Sequence, residues 1–200
     1  MRLGIFGGTF DPPHLGHLLV ATDAFEALSL TRLMFVPTGR QPLKADIVTA
    51  PAAARLAMTR RLIGDDQRFG VDSIEIDRDG LSFTIDTLRA FAEREPEAER
   101  YFLLGADAWR SFPRWRSPDE IMRLATVVVL TRGGEPIGPA SSGVRAPRVL
   151  PTRRIDISST EIRSRVRAGL SLRGFVPEAV RDYIEENGLY HEDGYAETAD

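Results

Sequence analysis

The run Gly7-Gly8-Thr9-Phe10-Asp11-Pro12-Pro13-His14-Leu15-Gly16-His17 gathers a glycine pair, a hydroxyl and two of the chain's three histidines. Glycines between a strand and a helix let backbone N–H groups approach an anion, and the helix N-terminus adds positive potential. His14 and His17, three apart where a helix starts, share a face. They can donate hydrogen bonds to phosphoryl oxygens whose charge grows in a transition state. Rival chemistries fit less well. A dinucleotide fingerprint needs G-x-G-x-x-G, but here the glycines run Gly4-x-x-Gly7-Gly8 and the second strand ends in Val36-Pro37. No Gly-Lys-Ser/Thr of a Walker A loop is present. His14-x-x-His17 has no third ligand nearby, so no metal-binding residue is assigned.

A second cluster, Ile157-Ser158-Ser159-Thr160-Glu161-Ile162-Arg163, starts a helix late in the chain. Ser158 with Glu161 fits a capping box, which accounts for those two residues alone. Three consecutive hydroxyls and an arginine in the next turn go beyond a cap and suit a further stretch of polyphosphate. Lys44 is the only lysine among 26 cationic side chains. Either composition spared it, or the position needs a compact, mobile ammonium.

The elements that must carry these residues alternate. Arg2 to Phe6 reads as a buried strand, with Gly7-Gly8 in the turn after it. Leu15, Leu18, Leu19, Phe25 and Leu28 mark the apolar stripe of a helix. Strands are expected at 33–36, 71–76, 101–104, 127–130 and 148–150. Helices are expected around Leu56 to Ile63, over Thr84 to Glu95, from the capping box Ser117-Pro118-Asp119-Glu120, from Ser158, and over Pro177 to Asn187 before Gly188. The stretch 132–147 holds four glycines and three prolines, so it reads as a surface loop. The pattern predicts an α/β protein with a doubly wound, mostly parallel sheet and a small helical C-terminal part. One domain over 1–190 and a disordered tail over 191–200 are expected. Such sheets bind ligands at the carboxyl ends of their strands, where the glycine pair, Gly39 and Gly105 fall.

A net charge of −3 provides no basic field for nucleic acid. The absence of cysteine excludes thiolate nucleophiles and disulfides. No apolar stretch reaches membrane-spanning length, so a cytoplasmic protein with no membrane partner is expected.

These motifs resemble the nucleotidyltransferase superfamily marked by His-x-Gly-His and Ser-Ser-Thr-x-x-Arg, and more closely the bacterial nicotinate-nucleotide adenylyltransferases. The resemblance runs from Leu3 to about Tyr190. It includes Pro37-Thr38-Gly39 with Lys44, Ser82 to Leu88, Leu104-Gly105-Ala106-Asp107, and Phe112-Pro113-Arg114-Trp115. It implies a Rossmann-like fold and transfer of AMP from ATP to nicotinate mononucleotide, with Mg²⁺ carried mainly by the ATP phosphates. His14, His17, Lys44 and Arg163 would then be catalytic. Gly7, Gly8, Thr9, Phe10, Gly105, Asp107, Ser158, Ser159 and Thr160 would bind ATP, and Thr84, Trp115 and Arg116 the pyridine nucleotide. On spacing alone, Trp115 reads as a core or surface aromatic, Thr84 as a helix cap and Asp107 as a helix-start residue. Three positions depart from the family pattern: Leu43 where histidine is frequent, Phe83 for tyrosine, and Arg116 for an aromatic. Nicotinamide mononucleotide and phosphopantetheine are the alternative acceptors, and a non-catalytic nucleotide sensor is the alternative of another class. A homo-oligomer is left open.

Overall fold

Runs of β-branched and aromatic residues become strands where both of their faces can be covered. The computed structural model describes residues 1–40, 50–137 and 146–191. In chain order its elements are β1 (Arg2–Gly8), α1 (Leu15–Ala27), β2 (Arg32–Pro37), α2 (Ala52–Ile63), β3 (Phe69–Val71), α3 (Thr84–Arg94) and β4 (Glu99–Gly105). Then come α4 (Ala106–Ser111), a 3-10 turn (Phe112–Arg114), α5 (Pro118–Leu124), β5 (Thr126–Arg132), β6 (Arg148–Thr152), α6 (Ser159–Arg167) and α7 (Glu178–Glu186).

Among the described residues one six-stranded sheet forms, in the order β3-β2-β1-β4-β5-β6. Every pairing in it is parallel. The chain winds outward from β1 to β3, then returns to β4 on the other side of β1. That reversal opens a crevice at the carboxyl ends of β1 and β4. Side chains alternate across the sheet with period two. Phe6, Leu33, Phe35, Leu103, Val128 and Leu130 pack into one core with residues of α1, α2, α6 and α7, including Met58, Ile162 and Ile184. Leu3, Ile5, Val36, Phe102, Leu104 and Val129 pack into the other with Ile85, Leu88, Phe112 and Ile121. Each such fully buried side chain contributes about 1.5–3 kcal/mol.

Four sequence expectations need correction. Gly7 and Gly8 lie in β1, not in a turn, paired in register with Val36 and Pro37. The third strand is Phe69–Val71, not 71–76. Asp72 Oδ1 accepts the Ile74 N–H, and a turn from Ser73 follows, so the chain leaves the sheet there. The buried stripe of α1 runs through Ala21 and Ala24 to Leu28, while Leu15 and Leu19 are only partly buried. Finally, α5 starts at Pro118, but Ser117 is left-handed (φ 54°) and its side chain caps nothing. Glu120, expected in that cap, takes the Arg89 guanidinium at 2.8 Å instead. Lys44 and the segments 41–49, 138–145 and 192–200 lie outside the described residues. None of the described helices is long and apolar enough to cross a membrane.

Candidate active site

From the end of β1 the chain crosses to α1 through Thr9 to His14. Phe10 takes a left-handed φ of 51°. Its buried ring lies 5.0 Å from His17 and 5.6 Å from both Phe6 and Phe35. A Cβ on Gly8 would come within 2.8 Å of that ring, so this position must be glycine for Phe10 to fold inward.

The imidazoles of His14 and His17 lie 3.8 Å apart, tilted by 30°. A Cβ on Gly16 would stand 2.9 Å from the His14 ring, which explains the glycine between them. His17 Nδ1 accepts the His14 backbone N–H at 3.2 Å. A neutral His17 therefore carries its proton on Nε2. Burial, then the charge of Arg132, lowers the His14 pKa to about 4. Burial, His14 and Arg132, in that order, hold His17 well below its ordinary 6.5. Both rings are neutral at pH 7, and each keeps one N–H to donate.

The late hydroxyl–arginine motif arrives at the same loop. Ser158 caps α6, its side chain accepting the Glu161 N–H at 3.1 Å. Ser159 Oγ donates to the Pro12 carbonyl at 2.9 Å. Arg163 Nη1 donates to the Asp11 carbonyl at 2.6 Å, and Nη2 reaches Thr160 Oγ1 at 3.3 Å. Residues 147 and 152 positions apart are thus hydrogen-bonded at one loop.

Across the strand ends, β2 leads into Thr38, whose N–H and hydroxyl both donate to the Gly8 carbonyl. Gly39 N–H donates to Ser82 Oγ at 3.1 Å, and a Cβ on Gly39 would collide with the Glu75 carbonyl. Glu75 is buried, accepts Thr87 Oγ1 at 2.8 Å, and has a pKa raised by that burial. Thr84 is the first residue of α3, a helix with no side-chain cap. Trp115 is partly buried, its Nε1 donating to Ser111 Oγ at 3.0 Å and its ring edge-on to Phe102. Arg116 lies over the Phe83 ring at 4.9 Å and 3.8 Å from Asp86 Oδ2. Gly105 ends β4 with open space where a Cβ would point. Exposed Asp107 pairs with Arg110 at 3.0 Å.

Five residues of this region were given no role of their own from the sequence: Asp11, Gly16, Arg55, Arg132 and Tyr190. Arg55 is buried and donates to the carbonyls of Thr9, Thr38, Gly39 and Ala50. One signal was present, since Arg55 shares the helical stripe of Met58 and Leu62. Asp11 Oδ1 accepts the Ala50 N–H at 3.0 Å and the Tyr190 hydroxyl at 2.8 Å. Arg132, at the end of β5, sends its charge to both imidazoles. Among the described residues no group of three His, Asp or Glu side chains could hold a metal ion.

Comparison with known proteins gives this geometry its context. The cytidylyltransferase-like family model matches residues 5–165. A protein of Gemmatimonas aurantiaca named probable nicotinate-nucleotide adenylyltransferase is 51% identical, over 96% of this chain and 93% of its own length. One of the same name from Thermus thermophilus is 46% identical, over 95% of this chain and 100% of its own. The fold is also that of Plasmodium falciparum nicotinic acid mononucleotide adenylyltransferase. Its complex with APC gives a TM-score of 0.75 at 20% identity, over 94% of this chain and 96% of that one. Its complex with NaAD gives 0.76 at 19%, over 94% and 97%. Identity at this level across nearly whole chains, on the same parallel sheet, settles the family: this chain belongs to the nicotinate-nucleotide adenylyltransferases, within the cytidylyltransferase-like group.

Proposed function

We propose that this chain transfers the adenylyl group of ATP to nicotinate mononucleotide, yielding deamido-NAD and pyrophosphate. The observation that supports it most directly is the meeting of the imidazole pair with Arg163 at one loop, the Arg163 guanidinium 2.6 Å from the Asp11 carbonyl. In the reaction a phosphate oxygen of the mononucleotide attacks the α-phosphorus of ATP. A new P–O bond forms there, the bond to the β-phosphate bridging oxygen breaks, and pyrophosphate leaves. No side chain needs to form a covalent intermediate. Catalysis then consists of aligning two polyanions and neutralising charge.

His17 Nε2–H and the His14 N–H would donate to phosphoryl oxygens, with Thr9, Phe10, Gly7 and Gly8 shaping that loop. Arg163, with Ser158, Ser159 and Thr160 at the start of α6, would hold the departing phosphates, as would Lys44. Arg132 adds positive charge at the same strand ends. Gly105 and Asp107 would meet the adenosine ribose. Thr84, Trp115 and Arg116 would receive the pyridine nucleotide. The protein side suits a divalent ion carried by substrate, since Asp11, the buried carboxylate of the loop, has Oδ1 engaged by Ala50 and Tyr190 and Oδ2 facing the Arg163 guanidinium. Mg²⁺ on the ATP phosphates would supply further charge neutralisation. The domain is taken to span 1–190.

The test is incubation of the protein with ATP, Mg²⁺ and, separately, nicotinate mononucleotide, nicotinamide mononucleotide and phosphopantetheine, with products weighed by mass spectrometry. Deamido-NAD and pyrophosphate should form, with the acid the best acceptor by kcat/KM. A higher kcat/KM for the amide, or for phosphopantetheine, would replace this acceptor with that one.

A further inference from the structure

The loop from Asp11 to Leu15 is tied down by residues that come late in the chain. Ser159 Oγ reaches the Pro12 carbonyl and Arg163 the Asp11 carbonyl. The Leu15 N–H, first of α1, donates to the Phe175 carbonyl at 2.9 Å. The hydroxyl of Tyr190, itself buried beyond the end of α7, donates to Asp11 Oδ1 at 2.8 Å. Asp11 is 3% exposed, and Oδ1 also receives the Ala50 N–H at 3.0 Å. Its other oxygen, Oδ2, has no hydrogen bond among the described residues and lies 3.7 Å from Arg163 Nη1.

We infer that Tyr190 is a positioning residue for adenylyl transfer: it holds the Asp11 carboxylate turned so that Arg163 cannot close a two-pronged ion pair on it. The inference rests on the function proposed above. An arginine and a carboxylate left to themselves favour the bidentate fork. Here the two donors on Oδ1 fix the carboxylate plane, and Arg163 takes the peptide carbonyl instead. Its charge faces Oδ2, while guanidinium N–H groups remain for an incoming phosphate. Without the Tyr190 hydroxyl, one of those two restraints is gone. The carboxylate can then swing onto Arg163 and draw the guanidinium away from the substrate.

Tyr190→Phe keeps the buried ring and deletes only the hydroxyl. In the full chain we expect kcat/KM for ATP to fall about tenfold. KM for nicotinate mononucleotide should stay within twofold, and melting should shift by only a few degrees. In an Arg163→Lys background, where no bidentate fork can form, Tyr190→Phe should cost nothing further. An unchanged kcat/KM overturns the inference. So does a tenfold loss that persists in the lysine background, or a KM for the mononucleotide that rises as much as that for ATP. Should the unmodified protein form no dinucleotide, calorimetric titration with ATP and Mg²⁺ still decides. Tenfold weaker binding in Tyr190→Phe supports the positioning role, and equal binding removes it, whatever the acceptor proves to be.

Discussion

Two uncharged imidazoles 3.8 Å apart, tilted by 30°, are a physical consequence of crowding: burial and a neighbouring arginine make a second positive charge there too costly. Their worth lies in directed N–H donors, and His17 has its proton placed on Nε2 by the bond its Nδ1 accepts. If that donor serves the transition state, His17→Ala should lower kcat by about 10²–10³-fold, with a smaller change in KM for ATP. Steady-state pyrophosphate release would measure it, and full turnover in the variant would remove His17 from the mechanism. The histidines were legible in the sequence because histidine is scarce here and their spacing is short. The reason for Gly16 was not, since the clash it avoids is with the His14 ring in one rotamer. Asp11 was hidden for another reason. Its partners Ala50 and Tyr190 stand 39 and 179 positions away, and no local pattern announces them.

Elements bring their own logic, and α2 carries the clearest case. Its Arg55 lies on the face that Met58 and Leu62 bury, yet its guanidinium makes four hydrogen bonds to carbonyls just past the ends of β1 and β2 and just before α2. Arg55→Met would leave those carbonyls without their donor and the nearby Asp11 and Glu75 with one counter-charge fewer. A loss of about 3–5 kcal/mol of stability is expected, read from urea unfolding. Arg55→Lys, which keeps the charge but not the fork, should fall between the two. A loss below about 1 kcal/mol in Arg55→Met would show that water can replace the clamp. Helix and strand identities were legible wherever apolar spacing was long, as in β1, β5 and α3. They failed where a side chain overrode the pattern. Asp72 turned the chain out of the sheet, and Ser117 became a left-handed residue instead of a cap.

For the whole molecule, the parallel sheet was legible because strand and helix patterns alternate and both sheet faces demand cover. The meeting of α6 with the first loop was legible too, because a shared polyphosphate needs the late arginine beside the early histidines; the arrival of Tyr190 there was not, because no local pattern joins it to Asp11. Burial of the imidazole pair gives the fold a pH dependence. Above pH 6.5 both imidazoles are neutral in the folded and the unfolded chain, so they add no pH dependence there. Below it the unfolded chain takes up their protons, while the folded chain resists down to about pH 4 at His14 and well below 6.5 at His17. The unfolded state then binds more protons, and stability falls as pH falls, by up to about 1.4 kcal/mol per pH unit for each histidine. Glu75, raised by burial, works the other way, because the folded state protonates it first. Urea unfolding at pH 7.5 and at pH 5.5 should therefore show a weaker fold at the lower pH. Replacing both histidines by glutamine leaves Glu75 in place and should remove most of that difference. If the double variant keeps the full pH dependence, the imidazoles are not its source.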